Sequence, residues 1–124
     1  MTESREAASA APWFGTLPPD WPVVPLRYLV SFQGGGTPDK GNPDFWTGGT
    51  IPWVSPKDMK VDRIADSEDH ITEAAVDGSA TRLLPTGSVL VVVRGMILAH
   101  TLPVAVTTGP VTLNQDIKGL VCGA

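Results

Sequence analysis

The chain has 124 residues, 42% hydrophobic and 18% charged, a composition that predicts one small folded domain rather than a disordered chain. Its 13 glycines and 12 prolines exclude a helical bundle or a coiled coil, because both residue types interrupt helices. The net charge of −4 argues against unspecific nucleic-acid binding, and the longest apolar run, Val89–Val93, is too short to cross a membrane. A single cysteine, Cys122, and the lack of a secretory signal predict a cytoplasmic protein. Residues 1–19 are predicted to form a disordered leader, and residues 20–124 the domain.

The first half of the domain predicts short strands joined by long turns. Val23–Phe32 holds enough β-branched and aromatic residues for a short strand or a helical turn. The Gly- and Pro-rich residues 33–43 predict a long loop. Thr50–Ser55 predicts a strand, and we expect it at a sheet edge because Pro52 cannot donate a hydrogen bond to a neighbouring strand.

The second half adds one helix and several strands. Thr72 is typical of a helix N-cap, so a short helix is predicted to follow it. Ser88–Arg94 predicts a strand buried on both faces, and Pro103–Thr108 predicts another. Val111–Val121 is expected to hold one or two further short strands. A strand-rich order with one or two short helices predicts the α+β class.

Catalytic patterns are weak in this sequence. It has no Gly-x-Ser-x-Gly motif, and His70 and His100 lie too far apart for a metal-binding helix motif. Asp44, Asp58 and Lys60 do match the letters of a magnesium-dependent nuclease, in which two carboxylates hold the metal and the lysine assists attack on phosphate. This alternative is disfavoured because Asp44 lies in a predicted loop and a proline interrupts the strand before Asp58.

Short motifs of glycine, proline and aromatic residues follow one another from Trp21 to Val121. They are Trp21 with Leu26, Gly35-Gly36-Thr37-Pro38, Phe45-Trp46, Gly49, Ile51-Pro52-Trp53-Val54, Asp58, Ile71–Ala75, Leu83-Leu84-Pro85, Gly87–Leu90, Arg94-Gly95, Pro103-Val104-Ala105 and Asn114–Leu120. In this order and spacing they resemble the first, N-terminal target recognition domain of the specificity subunit of type I restriction-modification systems.

The resemblance implies a mixed α/β domain without catalysis of its own, which reads one half of a split double-stranded DNA target. It also implies methyltransferase and restriction subunits as partners. S-adenosylmethionine, ATP and Mg²⁺ are expected on those subunits, and no cofactor or metal on this chain. The family's helical spacer and second domain do not follow Leu120, so we expect a domain that is incomplete at its C-terminus and lacks the docking helices. The remaining alternative is a nonfunctional or protein-interaction remnant of a specificity subunit.

Within such a domain, polar and basic loop residues are the candidates for DNA contact. The candidates for reading bases are Gln33, Thr37, Lys40, Asn42, Arg82 and Arg94. The candidates for phosphate contact are Lys57, Lys60 and Arg63.

Each candidate also has a structural alternative. Lys60 could instead pair with Asp58 or Asp62, and Arg94 could cap a carboxylate. The remaining conspicuous residues are expected to be structural: Trp46, Ile51 and Trp53 as core, and Asn114-Gln115 as a pair that joins loops through side-chain hydrogen bonds.

Overall fold

The computed structural model describes residue 25 and residues 28–122. These residues form two short helices and eight short strands, and the strands are arranged in two sheets. The predicted leader, residues 1–19, lies outside the described residues. The strands are β1 Val30–Gly34, β2 Ile51–Val54, β3 Arg63–Ile64, β4 Asp69–Ile71, β5 Val89–Val92, β6 Val104–Thr107, β7 Thr112–Leu113 and β8 Ile117–Cys122. The helices are α1 Pro43–Trp46 and α2 Glu73–Asp77, and two 3₁₀ turns occupy Pro56–Asp58 and Met96–Ala99. The predicted α+β class is confirmed, and none of the described helices is long and apolar enough to span a membrane.

The larger sheet has five strands in the order β1-β8-β5-β6-β3, antiparallel except for the β6–β3 pair. Its inner face packs on the main core, whereas its outer face leaves Phe32, Val104 and Val106 exposed. The expectation that the Ser88–Arg94 strand is buried on both faces was wrong. In β5, Leu90 and Val92 are buried but the alternate valines are only half-buried, because no layer of the described structure covers the outer face.

The smaller sheet has three strands in the order β4-β2-β7. The prediction that β2 lies at a sheet edge was wrong. Strand β2 lies between an antiparallel β4 and a parallel β7. Pro52 is tolerated in the central strand since the pairing with β7 begins one residue later, at Trp53. The carbonyl of Pro52 still accepts a hydrogen bond from Thr112 Oγ1 at 2.7 Å.

The main core fills the space between the inner face of the five-stranded sheet and the neighbouring strands. Its buried members are Val54, Met59, Ile64, Leu84, Leu90, Val92, Ala105, Val111, Leu113 and Ile117. Gly119 in β8 allows a close approach there, since a Cβ at this position would lie only 2.2 Å from Leu84 Cδ2. The packing therefore depends on a position without a side chain in the middle of the sheet.

A second, smaller core holds the two helices against the three-stranded sheet. Trp53, Ile71 and Ala75 are buried there, with Trp46 and Ile51 packed against them. The rings of Trp46 and Trp53 meet edge to face, with centroids 5.3 Å apart. The prediction that Trp46, Ile51 and Trp53 are core residues is confirmed.

Both helices begin with a side-chain cap. The prediction for Thr72 is confirmed: its Oγ1 accepts a hydrogen bond from the backbone N–H of Ala75 at the start of α2. Helix α1 was not predicted, although Asn42 caps it by accepting from the N–H of Asp44 and Pro43 occupies its first position. Asn-Pro is equally typical of a loop, and for this reason the four-residue helix was not predicted from the sequence.

Candidate nucleic-acid interface

Four chain segments meet at one end of the five-stranded sheet. Strand β1 ends where β8 begins, since Gly34 pairs with Lys118. Strand β5 ends beside the start of β8, and β6 begins at this same end. Strand β3 runs parallel to β6 and begins two residues further in, where Arg63 pairs with Val106. We call this end the loop edge, and define it as residues 33–37, 60–63, 94–103 and 114–118. With four strand spacings of about 4.8 Å, it is about 19 Å wide.

A hydrogen-bonded network connects three of these segments. Thr37 Oγ1 donates to Gln115 Oε1 at 2.5 Å, and the guanidinium of Arg94 donates to the backbone carbonyl of Gln115 at 3.3 Å. Arg94 Nε also donates to Asp116 Oδ1 at 3.0 Å, which confirms that Arg94 contacts a carboxylate. Thr37, Arg94 and Gln115 are all exposed, so the network lies on the surface of the molecule.

The loop after β1 is held against this network by close backbone contacts. The N–H of Gly36 donates to the carbonyl of Leu113 at 3.0 Å. A Cβ on Gly35 would lie 2.1 Å from the carbonyl oxygen of Asn114, so no larger residue fits there without movement. Asn114 Oδ1 in turn accepts from the N–H of Asp116 at 2.9 Å. The prediction that this pair joins loops through side-chain hydrogen bonds is confirmed for Gln115, which accepts from Thr37, whereas the Asn114 side chain bonds within its own turn.

Besides Arg94, three exposed cations lie along the loop edge. They are Lys60, Arg63 and Lys118. Lys60 has no ion pair within the described residues, although Asp58 and Asp62 were considered as its partners. An exposed ammonium group without a carboxylate partner remains available for a phosphate contact.

Lys57 was predicted as a phosphate contact, but it pairs with two carboxylates. Its ammonium group lies 2.7 Å from Glu68 Oε2 and 2.8 Å from Asp69 Oδ2. The hydrogen bond to Asp69, followed by that to Glu68, raises the pKa of Lys57 above its usual value of 10.5. Lys57 therefore lies in a locally acidic environment, in contrast to Lys60.

The other predicted residues do not join the network. Lys40 lines a cleft of about 270 Å³ together with Trp46, Trp53 and Asp69. Asn42 is the α1 cap described above. The guanidinium of Arg82 donates to the backbone carbonyls of Ser79 and Thr81, both at 3.3 Å. Gln33, by contrast, lies at the loop edge in β1, half-buried and paired with Gly119.

The nuclease-like residues have structural roles. The carboxylate of Asp58 accepts hydrogen bonds from the backbone N–H of Ser55 and the N–H of Glu68, both at 3.0 Å, and so caps the 3₁₀ turn. Asp44 lies on α1, where its carbonyl accepts from Thr72 Oγ1 at 2.7 Å. No group of three or more His, Cys, Asp or Glu residues that could hold a metal ion occurs in the described part of the chain.

An acid–histidine pair lies beside the three-stranded sheet, away from the loop edge. Asp66 Oδ1 and His70 Nε2 are 2.6 Å apart, in a part of the chain that also carries Glu68 and Asp69. The hydrogen bond from His70, followed by one from the N–H of Ser67, lowers the pKa of Asp66. This acidic region is a poor phosphate-binding surface, because its carboxylates repel phosphate.

Sequence reasoning missed some loop-edge residues. Lys118 follows a buried isoleucine in β8, and only its exposure beside the end of β1 marks it as a candidate. Gln115 was predicted as structural, yet its amide is exposed in the centre of the network. No element was predicted for residues 96–102, and the exposure of Met96, Leu98 and Leu102 was not anticipated.

The fold and the loop edge define a class of protein: a small two-sheet α+β domain that displays polar and basic loops at one end of its larger sheet. A solved structure with this fold is the HsdS subunit from Thermoanaerobacter tengcongensis. It aligns with 98% of this chain and 32% of that chain at a TM-score of 0.57 and 16% identity, which shows a shared fold.

The chain belongs to the family described as the type I restriction modification DNA specificity domain, which it matches over residues 18–122. It is 51% identical over 96 residues to the EcoR124I/EcoR124II specificity subunit of Escherichia coli. It is 34% identical over 110 residues to the MjaIX specificity subunit of Methanocaldococcus jannaschii. These matches cover 77% and 86% of this chain but 24% of each relative, so the chain spans about a quarter of their length.

Proposed function

We propose that this chain is a non-catalytic DNA-recognition module that reads one half of a bipartite target through its loop edge. The observation that carries the proposal is the network of Thr37, Arg94 and Gln115, which brings polar side chains from three distant segments onto one surface. Membership of the DNA specificity family supports it. The edge is wider than the major groove, which is about 12 Å across, so it can contact bases and phosphates at the same time.

The loop-edge residues divide into two roles in this proposal. Gln33, Thr37, Arg94 and the amide of Gln115 offer the donors and acceptors that distinguish base pairs in the major groove. Lys60, Arg63 and Lys118 contact phosphates and set the position of the domain on the duplex. Lys40, Asn42, Lys57 and Arg82 have the weaker claim, since the structure engages the last three in contacts within the protein.

The partners and cofactors in this proposal follow from the family rather than from the described residues. We propose that a protein containing this domain acts in the cytoplasm with methyltransferase and restriction subunits. S-adenosylmethionine, ATP and Mg²⁺ would then be bound by those subunits. The magnesium-dependent nuclease is not favoured, because the Asp58 carboxylate is occupied as a cap.

The test is selection of duplexes from a randomised pool by the purified chain, followed by binding to the selected duplex at several salt concentrations. We expect one short enriched motif and an affinity that falls as salt rises. Lys60→Ala is expected to reduce the slope of log affinity against log salt by about 1. Lys57→Ala is the matched control: it removes an identical charge three residues away, and it should leave the slope nearly unchanged.

The outcomes of this experiment test DNA reading and the role of the loop edge separately. A folded chain that enriches no motif would refute DNA reading by this domain. An enriched motif with equal effects of Lys57→Ala and Lys60→Ala would retain DNA reading but refute the loop edge as the surface that performs it.

A further inference from the structure

The connection between β5 and β6 exposes an unusual amount of apolar surface. Met96 is 92% exposed and Leu102 is 64% exposed, and none of the residues in the 3₁₀ turn Met96–Ala99 is buried. Gly95 directs the chain into this turn with φ 127°, a backbone angle that favours glycine. Clustered exposed apolar side chains mark a binding surface more often than scattered ones do.

The surroundings of this apolar tip, residues 96–102, are charged. Arg94 precedes it, and Lys60 lies across a cleft of about 390 Å³ that is lined by Val61, Ile97 and Leu102 among others. Two carboxylates are also near: Asp116, which is paired with Arg94, and Asp62, which lines the same cleft. The tip is thus an apolar projection beside two cationic and two acidic side chains, of which Arg94 and Asp116 are paired with each other.

This combination fits a DNA duplex better than an apolar protein groove. A phosphate backbone offers nothing to a methionine side chain, but base steps accept apolar side chains as wedges between neighbouring pairs. Lys60, which has no ion pair within the described residues, is then positioned for a phosphate beside the opened step. The tip also lies on the same loop edge as the residues proposed to read bases.

We propose that Met96, supported by Leu102, inserts into the DNA base stack as an apolar wedge while Lys60 contacts a flanking phosphate. This inference rests on the proposed function, since it names how the same surface engages its target. It adds a source of specificity that needs no hydrogen bond, because pyrimidine–purine steps are the easiest to unstack.

The test uses the full chain and the selected duplex, with 2-aminopurine placed in turn at each position of the enriched motif and its flanks. Unstacking of one step should raise the fluorescence at that position only. Met96→Ser should abolish the rise and weaken binding about tenfold. Its effect on folding should be negligible, because the side chain is almost fully exposed.

Leu29→Ser is the matched control. Leu29 is also an exposed apolar residue, but it precedes β1, whose first residue Val30 pairs with Cys122 at the end of β8, opposite the loop edge. The Leu29→Ser substitution should leave both fluorescence and affinity unchanged. The salt dependence should be the same in all three proteins, since neither substitution removes a cation.

Binding that persists without a fluorescence change at any position would overturn the wedge and leave the proposed function intact. A loss of self-association in Met96→Ser, seen by sedimentation and unaccompanied by weaker DNA binding, would show instead that the tip contacts protein. Failure of the folded wild-type chain to bind any duplex would overturn both proposals.

Discussion

Gly35→Ala should strongly destabilise the domain, whereas the neighbouring Gly34→Ala should not. A Cβ at position 35 would lie 2.1 Å from the carbonyl oxygen of Asn114 and 2.4 Å from that of Leu113. Both atoms belong to the backbone, so the contact cannot be relieved by a rotamer change. At position 34 a Cβ would meet nothing within 4 Å.

The magnitude follows from two terms. Overpacking of this kind costs typically about 1–3 kcal/mol. Separation of the loop from β7 would also weaken the hydrogen bond from Gly36 N–H to Leu113, which contributes about 1 kcal/mol. We therefore expect Gly35→Ala to lower the free energy of unfolding by about 3 kcal/mol. Gly34→Ala should raise it by about 0.5 kcal/mol, because alanine restricts the unfolded chain.

Urea denaturation of both variants and the wild type measures these changes through the shift of the midpoint at constant m-value. A second readout is local: Gly35→Ala should also weaken DNA binding, because it moves Thr37 away from Gln115. Equal stability of the two variants would refute the close approach of the loop to Asn114, and with it the described geometry of the loop edge.

The remaining predictions concern the three-stranded sheet. Trp53→Phe removes the donor to the buried carbonyl of Gly36, 3.0 Å from Trp53 Nε1, and should cost about 2 kcal/mol in urea denaturation. Trp46→Phe is its control and should cost less than about 1 kcal/mol, since its exposed hydrogen bond can be replaced by water; equal costs would contradict the burial of Trp53. In an NMR titration, His70→Phe should raise the pKa of Asp66 toward its usual value of 3.8. Because that pKa is lowered in the folded protein, the stabilisation is present above about pH 4 and is lost as pH falls through the lowered pKa; an unchanged pKa in His70→Phe would contradict the pair.

Local signals in the sequence were sufficient for several elements. Thr72 identified the start of α2, because a side-chain oxygen at an N-cap acts within three residues of chain. The valine run identified β5, and the spacing of glycine, proline and tryptophan identified the family. The same local reasoning failed at Pro52, because the strand position of a proline depends on where a distant strand begins to pair.

The candidate site shows the same difference between features that depend on nearby residues and features that depend on distant ones. From the sequence, Arg94 and Thr37 could be selected as polar loop residues, but nothing local indicated that both contact Gln115. The sequence also did not indicate that Lys57 is paired with two carboxylates whereas Lys60 is not, although the two lysines are three residues apart. Partners in these interactions are separated by up to 78 positions along the chain.

The sequence by itself therefore determined the class of the fold, the Thr72 cap, most of the strands and the family, because these depend on side-chain type and short-range spacing. Only the tertiary structure decided which polar residues share a surface and which cations are already paired. It also revealed the exposed apolar tip at residues 96–102, since exposure depends on which distant segments cover a side chain rather than on the side chain itself.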